Sequence, residues 1–196
     1  MPIHFTDDQF RVLEAVCARL IPTDEDPGAS EAGVAHYIDG LLGAFVFDPP
    51  RIWAGGSVSG RFGGVPAFST FHRLSHLDEL AWRTRIEGSL GIPEREWNGP
   101  VEGLQERYAA GIALLGGDFA DVDGEEQDGR LRAHEEFTRL VYEHACEGMY
   151  GAPEYGGNRN GVGWSYIGFA GDVQPRGYTD EEVREPGAGE RLRDHT

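Results

Sequence analysis

The sequence predicts an all-α fold of about five helices joined by long irregular arms rich in Gly, Pro and aromatic residues. Three observations predict it. Apolar residues recur at three- and four-residue intervals in several separate stretches, and no stretch alternates apolar and polar residues as a half-buried strand would. Glycine and proline cluster between those stretches. With 39% hydrophobic and 11% aromatic residues in a chain of 196, there is enough apolar side chain for a real core.

The first helix starts at Thr6, which caps it, with Gln9 placed to reach back as the partner in a capping box and Phe5 and Phe10 as a hydrophobic staple. Phe10, Leu13, Val16, Cys17, Leu20 and Ile21 form its buried stripe, and Pro22 stops it. A second helix is expected from about Ala29 to Ala44 on Val34, Ile38, Leu41 and Leu42. Ser75 caps a third, with Leu77, Leu80, Ala81 and Ile86 inward and an end near Gly88. Pro100 suits the first position of a fourth, whose stripe is Val101, Leu104, Tyr108, Ile112 and Leu115, ending at Gly116-Gly117.

Asp118 to Asp128 holds six acids and no base and reads as a solvated loop. A fifth helix follows on Leu131, His134, Phe137, Leu140, Val141 and His144, to about Glu147. Residues 1–178 are expected to form one helical domain, with an irregular arm at 45–74 and a C-terminal wrapping coil at 148–178. Residues 179–196 make a charged tail without periodicity.

Charge narrows the partners. Against 17 basic residues, all Arg, stand 34 acidic ones, a net charge of −17. Such a field repels phosphate backbones and anionic lipid heads, so nucleic acid and membrane surfaces are poor partners and protein surfaces better ones. No stretch approaches the roughly 20 continuous apolar residues that span a bilayer. No signal segment is visible at Met1-Pro2-Ile3-His4-Phe5, so the expected location is cytoplasmic, with periplasmic carriage by a co-exported partner as the alternative.

The residues offer little catalytic apparatus, and the site expected here has no catalytic, cofactor-binding or metal-ligating residue. His72 and His76 are spaced to share a helix face but lack HExxH context. His134 and His144 would stand about 15 Å apart along a helix, too far for one metal. Gly55-Gly56, Gly63-Gly64 and Gly156-Gly157 follow no predicted strand and fit no phosphate-binding pattern, and there is no GxSxG elbow. Cys17 and Cys146 have no zinc spacing, and read either as two buried thiols or as one disulfide.

What stands out is the run from Glu147 to Phe169, a Gly- and aromatic-rich coil whose backbone must be satisfied by side chains, water or another surface. Aromatics with Arg are the residue types that anchor protein interfaces. Tyr155, Asn158, Arg159 and Trp164 are therefore the candidate partner contacts, with Trp53 and Phe62 of the first arm as weaker ones. The alternative is that the coil only wraps its own helices.

Two stretches carry a resemblance. Phe5 to Leu42 has a helix ending in Leu20-Ile21-Pro22-Thr23-Asp24, then Pro27-Gly28-Ala29 and Tyr37-Ile38-Asp39. Glu147-Gly148-Met149-Tyr150 is followed by Pro153-Glu154-Tyr155-Gly156-Gly157-Asn158, Gly163-Trp164 and Ile167-Gly168-Phe169. In these the chain resembles the gluconate 2-dehydrogenase subunit 3 family, the small subunits of multi-subunit flavin dehydrogenases.

The resemblance implies an α-helical accessory subunit without a cofactor of its own. Its partner would be a large FAD-containing subunit of the glucose-methanol-choline class that oxidises a sugar, glycoside or sugar acid, and a cytochrome c subunit or other acceptor would take the electrons. The small subunit would serve the partner's folding, stability or export. Two other readings are a transient assembly or export chaperone and a stand-alone helical enzyme using histidines or a Cys17–Cys146 redox pair.

Overall fold

The computed structural model describes residues 1–52 and 73–169. Among them are eight α-helices and no strand: α1 (Asp7–Leu20), α2 (Ala29–Ala32), α3 (Val34–Leu42), α4 (His76–Glu87), α5 (Leu104–Leu115), α6 (Gly124–Ala133), α7 (Glu135–Tyr150) and α8 (Val162–Tyr166). The all-α class holds, with more helices than the five expected. Trp53, Phe62, His72 and the charged tail lie outside the described residues.

The start of α1 follows the sequence closely. The Thr6 hydroxyl accepts from the Gln9 amide at 3.2 Å, and the Gln9 side chain accepts from the Thr6 amide at 3.1 Å. Its stripe of Phe10, Leu13, Val16 and Cys17 is buried. The single helix expected over 29–44 is two, because Gly33 adopts φ 69° and turns the chain between α2 and α3. The helix expected across His134 is likewise broken there, at φ −122°, into α6 and α7.

Two other expectations change. α5 starts at Leu104, capped by Gly103, so Pro100 precedes it and Val101 is exposed. The backbone of Gly103 lies against Glu87 and Gly88, where a side chain would not fit, and that close approach sets the start of α5. In α4 only Ile86 is buried, while Leu77 and Ala81 are exposed. The acidic stretch is also no simple solvated loop. Asp123 caps α6 by accepting from the Glu126 amide at 3.0 Å. Asp128 makes a two-pronged pair with Arg19 at 2.6 and 2.7 Å, Asp118 pairs with Arg130 at 2.6 Å, and Asp121 pairs with Arg11. The acids thus tie the α5–α6 connection to α1 and to α6 itself.

At the centre stands α7, packed against α1, α2, α3, α5, α6 and α8. Leu13, Val16, Ile38, Leu42, Tyr108, Leu115, Val141 and Met149 fill the space between these helices, each at most 1% exposed. Asp39 is buried on α3 and accepts from the amides of Ile3, His4 and Phe5 at 2.6, 2.9 and 3.1 Å. The N-terminal segment is thereby laid across α3. Among the described residues every buried polar side chain has a hydrogen-bond partner.

Candidate partner-binding site

The chain after α7 is built around Asn158, which is fully buried. Helix α7 leaves its last carbonyls without intrahelical partners, and the following loop supplies them. The Asn158 amide donates to the Gly148 carbonyl at 2.7 Å, and its side-chain nitrogen donates to the Gly151 carbonyl at 2.9 Å. Its side-chain oxygen accepts from the Gly163 amide at 2.9 Å, capping the next helical turn. Asn158 does this from a left-handed conformation, φ 42°, which Asn tolerates better than most residues. The Trp164 indole adds a donor to the Tyr150 carbonyl at 2.7 Å.

The glycines of this loop permit the crossing. A side chain on Gly157 would run into the Gly148 carbonyl, and one on Gly163 into the Met149 carbonyl. The coil therefore wraps its own helix at Gly157, Asn158 and Gly163. Asn158 is spent on the backbone and presents no polar atom to a partner.

The other predicted contacts lie at the surface. Tyr155 and Arg159 line one cleft of about 540 Å³, walled by the N-terminal segment, α3, α4 and the loop at 153–159. Ile3, Tyr37, Leu41, Ile52, Trp82 and Pro153 make it largely apolar. Tyr37 is held in place by its hydroxyl, which donates to Glu147 at 2.8 Å. Burial pushes the phenols of Tyr37 and Tyr155 up, so both stay protonated donors. Arg159 lies across Gly33, where any side chain would collide with its guanidinium stem. His36 sits beside it, its imidazole held below the ordinary value by burial first and by Arg159 second.

Trp164 does not line this cleft; it is half-buried and edge-on to Phe169, with centroids 5.1 Å apart. Around it Tyr142, Tyr150, Tyr166, Ile167 and Phe169 are exposed. The structure therefore brings Tyr155 and Arg159 together and sets Trp164 in a separate aromatic patch.

The other histidines and the cysteines are spread over separate parts of the fold. His144 and Tyr108 are buried between α5 and α7, with the tyrosine hydroxyl 2.9 Å from the imidazole Nδ1. His76 is exposed at the start of α4, and His134 marks the break before α7. Cys17 and Cys146 are both free thiols, Cys17 buried and Cys146 half-buried. Burial pushes the Cys17 thiol up to about 12, which makes it a poor nucleophile. Among the described residues no three His, Cys, Asp or Glu side chains group as metal ligands, and no helix is long and apolar enough to cross a membrane.

Comparison with protein families matches residues 7–171 to the description Gluconate 2-dehydrogenase subunit 3. The chain belongs to this family. The chain matches no curated protein and no solved structure. The matched span takes in every described helix and the whole Asn158-centred loop. A gluconate 2-dehydrogenase subunit 3 is a subunit by description, consistent with a small accessory role beside partner subunits of a dehydrogenase.

Sequence reasoning missed most of the cleft in this family member. Its walls come from residues 1–3, 36–41, 51–52, 82 and 153–159, which no local spacing connects. One signal was present: Gly40, a glycine inside a helical stretch.

Proposed function

We propose that this chain is the non-catalytic small subunit that binds and stabilises the FAD-containing catalytic subunit of a sugar, glycoside or sugar-acid dehydrogenase. That catalytic subunit is of the glucose-methanol-choline type, and electrons leave it through a cytochrome c subunit or another acceptor. Membership of the gluconate 2-dehydrogenase subunit 3 family over residues 7–171 carries the reading. The surface supports it. An apolar cleft bearing Tyr155 and Arg159, and a separate exposed patch of Tyr150, Tyr166, Ile167 and Phe169, are the surface types that protein partners cover. In this assembly the flavin supplies the redox chemistry on the partner, and the present chain supplies a rigid helical surface.

The test is affinity purification of the tagged chain from its native host, followed by an absorption spectrum and a denaturing gel. A larger polypeptide in fixed ratio with a flavin spectrum is the expected result. A single colourless band would overturn the proposal.

A further inference from the structure

The connection between α4 and α5 holds two large apolar side chains in solvent. Trp97 is 90% exposed and Leu90 70% exposed, and neither makes a hydrogen bond or ring contact among the described residues. Pro93, Pro100 and Val101 of the same connection are exposed as well. Single exposed apolar residues are ordinary, whereas several on one short segment mark a binding surface.

The backbone under these side chains is fixed. Leu90 and Gly91 are the central residues of a turn closed by the Ile92 amide, which donates to the Ser89 carbonyl at 2.9 Å. Trp97 and Asn98 are those of a second turn, closed by the Gly99 amide donating to the Glu96 carbonyl at 2.9 Å. One carboxylate ties the two turns together, as Glu96 accepts from the Ser89 hydroxyl at 2.8 Å and from the Gly91 amide at 3.1 Å. Ser89 is buried and bonds Val101 in both directions, its amide donating to the Val101 carbonyl at 2.9 Å and its hydroxyl accepting from the Val101 amide at 3.0 Å. Leu90 and Trp97 thus stand on two turns of one hydrogen-bonded loop, already ordered before any partner arrives.

Leu90 also has a backbone that leucine avoids. It sits at φ 51° and is followed by Gly91 at φ 71°, a pair of left-handed residues for which Asn-Gly or Gly-Gly is the usual choice. An exposed leucine gains no core packing in exchange. Strain kept at a surface apolar residue points to a use outside the chain.

Charge selects the partner. Arg95 is turned inward, pairing with Glu87 at 3.0 Å and donating to the Gly88 carbonyl at 3.1 Å. The charged residues that the loop exposes, Glu94 and Glu102, are both acids, on a chain of net charge −17. A second copy of this chain would meet them with the same sign, and an anionic lipid surface would repel them. A protein surface with a basic rim complements them.

Resting on the reading of the chain as a subunit, we infer that this loop docks on the catalytic subunit, with Trp97 and Leu90 as anchors in an apolar pocket rimmed by Arg or Lys.

The experiment uses the full chain and the flavoprotein subunit recovered with the wild-type chain, separated and rebound in a quantitative binding assay. Trp97→Ala is expected to leave the melting temperature of the isolated chain unchanged and to weaken flavoprotein binding at least tenfold, on the order of an anchor loss. Leu90→Asn gives the turn its favoured Asn-Gly pair, so the melting temperature should hold or rise while binding weakens about fivefold. The double variant Glu94→Gln with Glu102→Gln is expected to bind more weakly and with a flatter salt dependence.

Unchanged binding by Trp97→Ala would overturn the inference while the subunit reading stands. A marked fall in the melting temperature of isolated Trp97→Ala would overturn it too, because it would mean that the chain packs that side chain itself. An unaltered salt dependence in the double variant would remove the basic rim from the partner. A photo-crosslinking residue in place of Asn98 is expected to attach to a flavoprotein peptide containing Arg or Lys, and attachment to residues 53–72 of this chain or to a second copy would contradict the assignment. Flotation with phosphatidylcholine and phosphatidylglycerol vesicles that Trp97→Ala abolishes would assign the loop to a membrane instead. Failure of the wild-type chain to bind any flavoprotein is a separate outcome, and it would sink the proposed function and this inference with it.

Discussion

The side-chain oxygen of Asn158 accepts the Gly163 amide at 2.9 Å while its own amide donates to the Gly148 carbonyl, so one buried residue joins the end of α7 to the start of α8. The Gly-Gly-Asn and Gly-Trp elements around it are thereby structural parts of one turn. Asn158→Ala leaves the Gly163 amide and the Gly151 carbonyl without these partners and puts alanine in a left-handed conformation. A loss of about 3 kcal/mol is expected. Thermal unfolding of the isolated chain checks it, since that loss lowers the midpoint by roughly ten degrees. Arg159→Gln, next in sequence but at the surface, is expected to leave the midpoint within a degree or two.

Gly163 is a second control on the same crossing. A Cβ on Gly163 would overlap the Met149 carbonyl oxygen, so Gly163→Ala must push α8 away from α7. A destabilisation of about 1–3 kcal/mol is expected, with faster hydrogen exchange at the amides of Trp164 to Tyr166. Exchange no faster than in the parent chain would show that α8 does not depend on this contact.

Asp39 holds the N-terminal segment through three amides. Asp39→Ala removes a charged acceptor from all of them, at a cost of roughly 2–3 kcal/mol. Amide exchange resolved by residue is the measurement. Ile3, His4 and Phe5 should lose protection in the variant while the α5 amides keep theirs. Uniform loss would mean that Asp39 supports the whole core.

Stability should fall on mild acidification. Burial is the largest cause holding His4, His36 and His144 below the ordinary histidine value of 6.5. A depressed folded value means that the unfolded chain binds the proton more readily. The stabilising contribution is therefore complete above about 6.5 and is lost as pH falls through the folded values. Midpoints measured from pH 7.5 to 5 should decline, and less steeply in His144→Gln. A midpoint that rises over that interval would reverse the sign.

Much of the fold was legible because its signals are local. The Thr6–Gln9 capping box, the stripe of α1 and the Gly116 stop of α5 each sit within a turn or two of sequence. The break at His134 has no proline or glycine at the break to announce it. It comes from the way α6 and α7 pack, as the Thr138 hydroxyl donates to the Leu131 carbonyl across the joint at 2.8 Å.

The sequence offers Asn158 as a partner contact because it stands among the aromatics and Arg159 of a Gly-rich coil, whereas the structure buries it. The deciding fact is the set of unfilled carbonyls at the end of α7, which a sequence shows only once the end of that helix is known. The cleft is long-range by construction, and only Gly40 hinted at it.

The most direct measurement of the subunit reading is native mass spectrometry of the complex purified through this chain. The expected spectrum shows the chain, a larger polypeptide and FAD together in one assembly, with FAD following the larger polypeptide on dissociation. A spectrum containing only this chain, or FAD retained on this chain after the larger polypeptide is lost, would contradict it.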